Sequence, residues 1–243
     1  MNFNFGLVVP MANEEKDFKP FIESLTAVLN KLQCGRVYLV VDNVSKDRTL
    51  DICNELSQKD KRFVTVWAPG NRNVVDAYMR GYKEALKNNH DLIVEMDAGL
   101  SHDPETLPLF LTSLQNGYQC AFGSRFVKGG SIKDSTWKRK ILSKGGTILS
   151  NILLGTKMSD MTSGFQGFHR SIVEKFTAYN LLSRAHFYQT ELRYLLRKTR
   201  YAEIPIFYKA PSPNVSQKSI LNSFYVLLHY FFLRLRFKAP DIR

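Results

Sequence analysis

The chain has 243 residues, 44% of them hydrophobic, and a formal net charge of +12 from 34 Lys and Arg against 22 Asp and Glu. This length suits one α/β domain, and the hydrophobic share supports a packed core, which excludes intrinsic disorder. The basic excess favours anionic partners, but no zinc-finger spacing or glycine-rich RNA-binding strand motif is present, so nucleic acid is not expected; no apolar run reaches the roughly 20 residues needed to span a bilayer.

Asn2, Asn4 and Gly6 lead directly into a strand, without the pattern of a signal peptide. Residues 5–10 predict that strand. Residues 17–32 carry Phe21, Leu25, Val28, Leu29 and Leu32 at helical spacing. Strands at 37–41, 63–67, 92–96 and 119–123 then alternate with helices at 47–57, 74–87 and 104–114, which implies parallel strands with right-handed crossovers. Beyond Gly123 the pattern changes. Residues 125–140 read as a long basic loop running into a helix at 142–154. Residues 159–167 read as a polar loop, 187–198 as a helix and 202–208 as a last strand. No internal repeat divides the chain, so residues 1–215 are expected to form one domain. The widely spaced Cys34, Cys53 and Cys120 show no metal-ligand pairing and read as reduced thiols of a cytoplasmic protein.

Residues 216–243 differ. Large apolar groups crowd 219–233, flanked by Lys218, Arg234, Arg236 and Lys238. This amphipathic segment fits a helix lying in an anionic membrane surface, or a helix packed on the domain, on a second subunit or on a membrane-protein partner.

Two strands end on acidic residues. Asp97 follows 92–96 and Asp42 follows 37–41. Ligands of open α/β sheets bind beyond the carboxyl ends of strands, so both are candidate ligand contacts. Asp103-Pro104 supplies an N-cap and a first helical residue for the next helix. His102, beside that cap, reads as a structural hydrogen-bonding group.

An ordered set of motifs spans about residues 5 to 220: Val8-Val9-Pro10-Met11-Ala12-Asn13-Glu14-Glu15, Met96-Asp97-Ala98-Gly99-Leu100-Ser101-His102, Gly123-Ser124-Arg125, Asp160-Met161-Thr162-Ser163-Gly164-Phe165 and Glu203-Ile204-Pro205-Ile206. The set resembles family 2 glycosyltransferases of the GT-A fold, and among them the dolichyl- and polyprenyl-phosphate glycosyl synthases such as those for mannose. The resemblance implies a Rossmann-like α/β domain, its mixed, mostly parallel sheet flanked by helices, followed by the amphipathic C-terminal helix. It implies a peripheral enzyme on the cytoplasmic face of a membrane, moving a sugar from a GDP- or UDP-linked donor to a polyprenyl or dolichyl phosphate. By resemblance Pro10, Asn13, Glu14, Asp42, Asp97, Ser163 and Gly164 bind the nucleotide-sugar. Arg125, Arg139 and Ser143 hold the lipid phosphate. Asp97, Arg125 and Glu191 serve catalysis, and Gln189 shares with Glu191 a helix motif that faces the active site. A lipid phosphate is already anionic, so no general base is required; in-line placement and stabilisation of the leaving diphosphate suffice, with inversion at the anomeric carbon.

The chain departs from the family pattern at Gly99, where the second Asp of an Asp-x-Asp motif is usual. Asp97 is then the one carboxylate of that loop for Mg2+ or Mn2+, and cation binding is expected to be weak or completed by phosphate and water. Asn43 and Val44 replace the usual Asp-Gly, and the usual glycines near Asn73 to Asp76 are missing. Two other readings stand beside this one. A family 2 transferase acting on a sugar hydroxyl in cell-surface polysaccharide assembly would need a general base, and none is evident near Asp97. A non-catalytic sugar-nucleotide binder would keep the fold without the activity.

Overall fold

The computed structural model describes residues 4–99, 101–133, 137–209 and 217–242, apart from the side chains of residues 138, 139 and 142. Leu100 and the expected boundary at 215/216 lie outside the described residues.

The first half follows the periodicity of its sequence. Strands β1 (Phe5–Met11), β2 (Arg36–Val41), β3 (Phe63–Trp67) and β4 (Leu92–Glu95) alternate with helices α1 (Phe18–Leu32), α2 (Thr49–Lys59) and α3 (Val74–Lys87). Asn73 caps α3, its Oδ1 accepting from the Val75 and Asp76 N–H groups. After β4, Asp103 caps a single 3-10 turn at Pro104–Thr106, and the α-helix α4 (Leu107–Gln115) starts only there. Pro108 explains the delay: it has no N–H to give the Pro104 carbonyl, so an α-helical turn from 104 cannot close. β5 (Cys120–Ser124) follows.

The second half departs from expectation in three places. The expected loop at 159–167 leads into a strand, β7 (Gln166–His169), and a helix, α6 (Arg170–Thr177), follows it. The expected last strand breaks at Ile206 into β8 (Tyr201–Pro205) and β9 (Phe207–Tyr208), and β9 leaves the main sheet to pair with β6 (Ser131–Ile132). The remaining helices are α5 (Trp137–Leu154), α7 (Tyr188–Leu195) and α8 (Gln217–Leu235).

The main sheet runs β3-β2-β1-β4-β7-β5-β8. β7 is antiparallel to both neighbours, and the other pairs are parallel. Alternate residues feed two cores. Leu7, Val9, Val37 and Leu39 meet α1 and α4 on one face; Val8, Tyr38 and Ile93 meet α3, α6 and α7 on the other. Each fully buried aliphatic or aromatic side chain contributes about 1.5–3 kcal/mol, which is why the sheet sets the frame for everything attached to it.

α8 packs on the domain. Val226, Leu227 and Tyr230 are buried, whereas Leu221, Phe224, Tyr225, Phe232 and Leu235 stay exposed. Arg234 fastens the helix to α5 by donating to the carbonyls of Ile152 and Leu153. α5 in turn exposes Trp137, Ile141, Ile148 and Ile152. Among the described residues no helix is long and apolar enough to cross a membrane.

Candidate active site

From β1 the strand order runs outward to β2 and β3 and then jumps back to β4 on the other side of β1. That reversal is a topological switch point, where the loops at the carboxyl ends separate and leave a crevice. The last pair between β1 and β4 is Val8 with Glu95; Pro10 and Met11 continue along β2 alone. The sheet therefore opens between Pro10 and Asp97, and the residues flanking that opening come from both loops.

The loops after β1 and β2 are stitched together. Asn13 takes a left-handed conformation (φ 58°), which Asn tolerates better than most residues. Its N–H donates to Ser45 Oγ, its amide nitrogen to the Val44 carbonyl, and its Oδ1 accepts from Lys46 N–H. The side chain of Asn13 is thus committed to shaping the loop. Asp42 is buried, and its Oδ1 accepts from Val44 N–H, which fixes the turn that the unusual Asn43-Val44 pair has to make. Thr49 Oγ1 accepts from Glu14 N–H, and Glu15 N–H donates to Asp47. These bonds hold Glu14 with its carboxylate facing the Asp97 loop: Oε2 lies 3.4 Å from the point where a Cβ on Gly99 would sit. Burial, and then the charges of Asp17, Asp47 and Asp97, push the Glu14 carboxyl up to about 7.

Asp97 is held from three sides. Tyr78 on α3 donates its hydroxyl to Oδ1, and His102 Nε2 lies 3.2 Å from Oδ2. The partner of His102 is therefore Asp97 itself and not the neighbouring cap. Burial opposes ionisation of Asp97, but the His102 contact and the Tyr78 hydroxyl outweigh it and lower the pKa. Gly164 closes the third side. A Cβ there would come within 2.8 Å of Asp97 Oδ2 and 2.6 Å of Gln189 Nε2, so glycine lets the loop approach without displacing either side chain. Ser163 is buried; its Oγ accepts from Phe165 N–H and its carbonyl from Arg193. Asp97, Glu14, Gly164 and Gln189 thus come together at the crevice, while the side chain of Ser163 is turned into its own loop.

Two expectations need correction. Glu191 does not face the crevice. Its carboxylate accepts from the N–H groups of Leu182 and Ser183 and from the Tyr230 hydroxyl of α8. Residues two apart on a helix point to different sides, so α7 cannot aim both Gln189 and Glu191 at one site. Nor is Arg125 a cation open to a ligand. Its Nε and Nη2 pair with the buried Asp160, and Nη2 also donates to Thr162 Oγ1. Burial alone would raise Asp160, but the Arg125 fork, its charge and that of Arg193 take it down to about 2. Arg139 and Ser143 both lie on α5, one turn apart; the Arg139 side chain is outside the described residues.

Two residues that sequence reasoning passed over tie the site together. Glu95 on β4 has no exposed surface and accepts from the hydroxyls of Tyr82 and Tyr188 and from Gln166 Nε2. Burial pushes it up to about 7. Arg193 on α7 is equally buried. It donates to Gln166 Oε1 and to the carbonyls of Gly123, Asp160 and Ser163. Burial brings it down to about 10. A continuous polar chain therefore runs from Glu95 through Gln166 and Arg193 to the Asp160 loop and Arg125. The one available signal was negative: a Glu inside a doubly covered parallel strand, and an Arg on a helix with no exposed face, must each find partners indoors.

Among the described residues no three His, Cys, Asp or Glu side chains converge to hold a metal ion. Asp97 and Glu14 offer the hard oxygen donors that Mg2+ or Mn2+ prefers, and further oxygens would have to come from a bound diphosphate and water.

Residues 7–177 match the family profile of Glycosyl transferase family 2. Polyprenol monophosphomannose synthase of Mycolicibacterium smegmatis is 30% identical over 88% of this chain and 80% of its own length. Dolichol-phosphate mannosyltransferase of Pyrococcus furiosus is 34% identical over 70% of this chain, which spans about half (47%) of that enzyme. Undecaprenyl-phosphate mannosyltransferase of Micrococcus luteus is 28% identical over 82% of this chain and 81% of its own length. Among solved structures, glucosyl-3-phosphoglycerate synthase of Mycobacterium tuberculosis bound to UDP superposes with a TM-score of 0.66 at 16% identity, covering 98% of this chain and 82% of that one. The same enzyme has been solved with Mn2+ and UDP, at a TM-score of 0.61 and 15% identity, covering 98% of this chain and 81% of that one. The fold is thus that of the GT-A glycosyltransferases, and with a family profile covering most of the sheet and its switch-point crevice, the chain belongs to glycosyl transferase family 2.

Proposed function

We propose that the protein is an inverting synthase that moves a hexose from a nucleotide-sugar to the phosphate of a polyprenol at the cytoplasmic face of a membrane. The observation that carries the acceptor is the likeness, over 88% of the chain, to a polyprenol monophosphomannose synthase. The geometry supports the same reading. An acceptor phosphate is already anionic, so the reaction asks only for placement and charge stabilisation from the groups around Asp97.

The nucleotide lies along the opening between β1 and β4, over Pro10 and the turn built by Asn13 and Asp42. Its diphosphate reaches Asp97, and Gly164, packed against Asp97 and Gln189, brings its loop up to the donor sugar. A divalent cation held with the donor by Asp97 would supply positive charge to offset that of the leaving diphosphate. Asp97 stays ionised to help hold that cation, with Tyr78 and His102 fixing its orientation. The acceptor phosphate enters from the α5 side, where Arg139 and Ser143 share one face of the helix. Arg125 acts through Asp160: it braces the 160–164 loop that brings Gly164 to the crevice. The exposed apolar faces of α5 and α8, with Lys140, Lys144, Arg234, Arg236 and Lys238 nearby, carry the enzyme onto an anionic bilayer.

The test is transfer of radiolabelled sugar to polyprenyl phosphate from a panel of GDP- and UDP-sugars. Labelled lipid from one donor supports the reading and names the sugar. No lipid product from any donor, with transfer to soluble sugars instead, overturns it.

A further inference from the structure

Gly99 leaves a gap beside Asp97, and Glu14 occupies it. Gly99 is in the left-handed region (φ +75°), and among the described residues away from its own loop the atom that a Cβ there would meet is Glu14 Oε2, at 3.4 Å. A carboxylate carried by residue 99 would therefore project into the space where the Glu14 carboxylate now stands. Glu14 is not there by chance of a flexible side chain alone. Its own N–H is pinned by Thr49 Oγ1 at 2.8 Å, and its carbonyl accepts from Asp17 N–H. Its neighbours Asn13 and Glu15 are bonded into the loop after β2. The head group, by contrast, has no hydrogen-bond donor and no cationic partner among the described residues, although it is half-buried and faces the charges of Asp17, Asp47 and Asp97. A carboxylate placed by a rigid backbone, among other carboxylates and without a partner, has hard oxygen atoms to spare for a cation.

We infer that Glu14, from the loop after β1, supplies the second protein carboxylate for a divalent cation that Asp97 holds with the donor diphosphate. The inference rests on the proposed donor site and names the ligand that completes it. The substitution at residue 99 then moves the second ligand from one loop to its neighbour without removing it. The cation would be gripped between the two strands that flank the switch point, one carboxylate from each. Asp97 is oriented by Tyr78 and His102; Glu14 is oriented only by its backbone. Cation affinity should accordingly depend on the nucleotide, whose diphosphate supplies the remaining oxygens.

The experiment measures Mn2+ bound to the full chain by the loss of the free-ion electron paramagnetic resonance signal, with GDP or UDP present. Nucleotide binding in excess chelator is measured in parallel. Glu14→Gln keeps the shape and removes the charge; it should weaken Mn2+ binding about tenfold or more, since ligand charge sets affinity at such sites. Glu14→Ala should weaken it as well, and Gly99→Asp in that background should restore it, because Asp accepts a left-handed backbone better than most residues and truncation at 14 clears the space that a Gln would still fill. Equal Mn2+ affinity in wild type and Glu14→Gln overturns the inference. If the wild type binds nucleotide in chelator while the Mn2+ result is negative, the donor reading survives and only this ligand assignment falls. If no nucleoside diphosphate binds, with or without Mn2+, the donor reading fails and takes the inference with it.

Discussion

Gly164 backs directly onto Asp97: a methyl group in place of its hydrogen would stand 2.8 Å from Asp97 Oδ2. The backbone at Gly164 is not in the left-handed region, so Gly164→Ala meets no conformational penalty and the clash falls on side chains. Asp97 or Gln189 must yield. The expected outcome is a thermal midpoint within a few degrees of wild type and a fall of about 100-fold in kcat/KM, the scale of a 1 Å misplacement of a reacting group. The sugar-transfer assay with differential scanning calorimetry checks it. Wild-type turnover in Gly164→Ala would mean that the position of Asp97 is not critical.

Asp160 gives a prediction with a pH signature. Its folded pKa of about 2 lies below the ordinary value of 3.8. The folded state therefore binds this proton less tightly than the unfolded state, and stability falls as pH drops through that window. The contribution is present above pH ~4 and lost towards pH ~2, and amounts to about 2 kcal/mol. Asp160→Asn removes it and leaves Arg125 buried without its counter-charge, a cost of about 3–5 kcal/mol at neutral pH. Urea denaturation of both proteins should show a gap that is wide at pH 7 and narrows between pH 4 and 2. A gap independent of pH would contradict the pairing.

The fold was legible where one physical signal dominated. Apolar residues at periods of 2 and 3.6 outline β1 to β5 and α1 to α4, because those elements bury one stripe or both faces of a strand. β7 was not legible: Gln166, Gly167 and His169 carry no alternation, since Gln166 is there to bond Glu95 and Arg193, and Gly167 lets Leu114 and Val94 approach. At the site, the strand-end rule pointed to Asp97 and Asp42, and motif order pointed to Gly164 and Glu14. Motif order also pointed to Glu191 and Arg125 as open groups, which they are not. No linear pattern says which partner a buried charge chooses; Asp160 and Tyr230 are 35 and 39 residues away from the groups they satisfy.

Glu191 joins α8 to the 182–183 turn, so its loss should register as stability before chemistry. Tyr230→Phe removes one of three donors to the carboxylate and should cost about 1–2 kcal/mol. Glu191→Gln retains an acceptor oxygen and should keep turnover within a few-fold of wild type, with a lowered thermal midpoint. Glu191→Ala leaves two backbone N–H groups and a buried hydroxyl unpaired and should lose more. A fall of 1000-fold in kcat for Glu191→Gln at an unchanged midpoint would return this residue to a catalytic role.

The outer faces of α5 and α8 give a last prediction, on lipid. Ile152 is 67% exposed and Phe224 is 52% exposed, and Arg234 locks the two helices together. Inserting such side chains into acyl chains gains about 1.5–3 kcal/mol each when burial is complete, and each nearby Lys or Arg adds about 1 kcal/mol at an anionic surface. Ile152→Asp and Phe224→Asp should each weaken sedimentation with vesicles of one-third phosphatidylglycerol in phosphatidylcholine by about tenfold or more. Raising the salt to 1 M should weaken wild-type binding, because it screens the basic residues but not the apolar contacts. Leu109 on α4 is 50% exposed but lies on the other face of the sheet, so Leu109→Asp should leave vesicle binding unchanged. Equal losses in all three variants would mean that the membrane does not select the α5–α8 face.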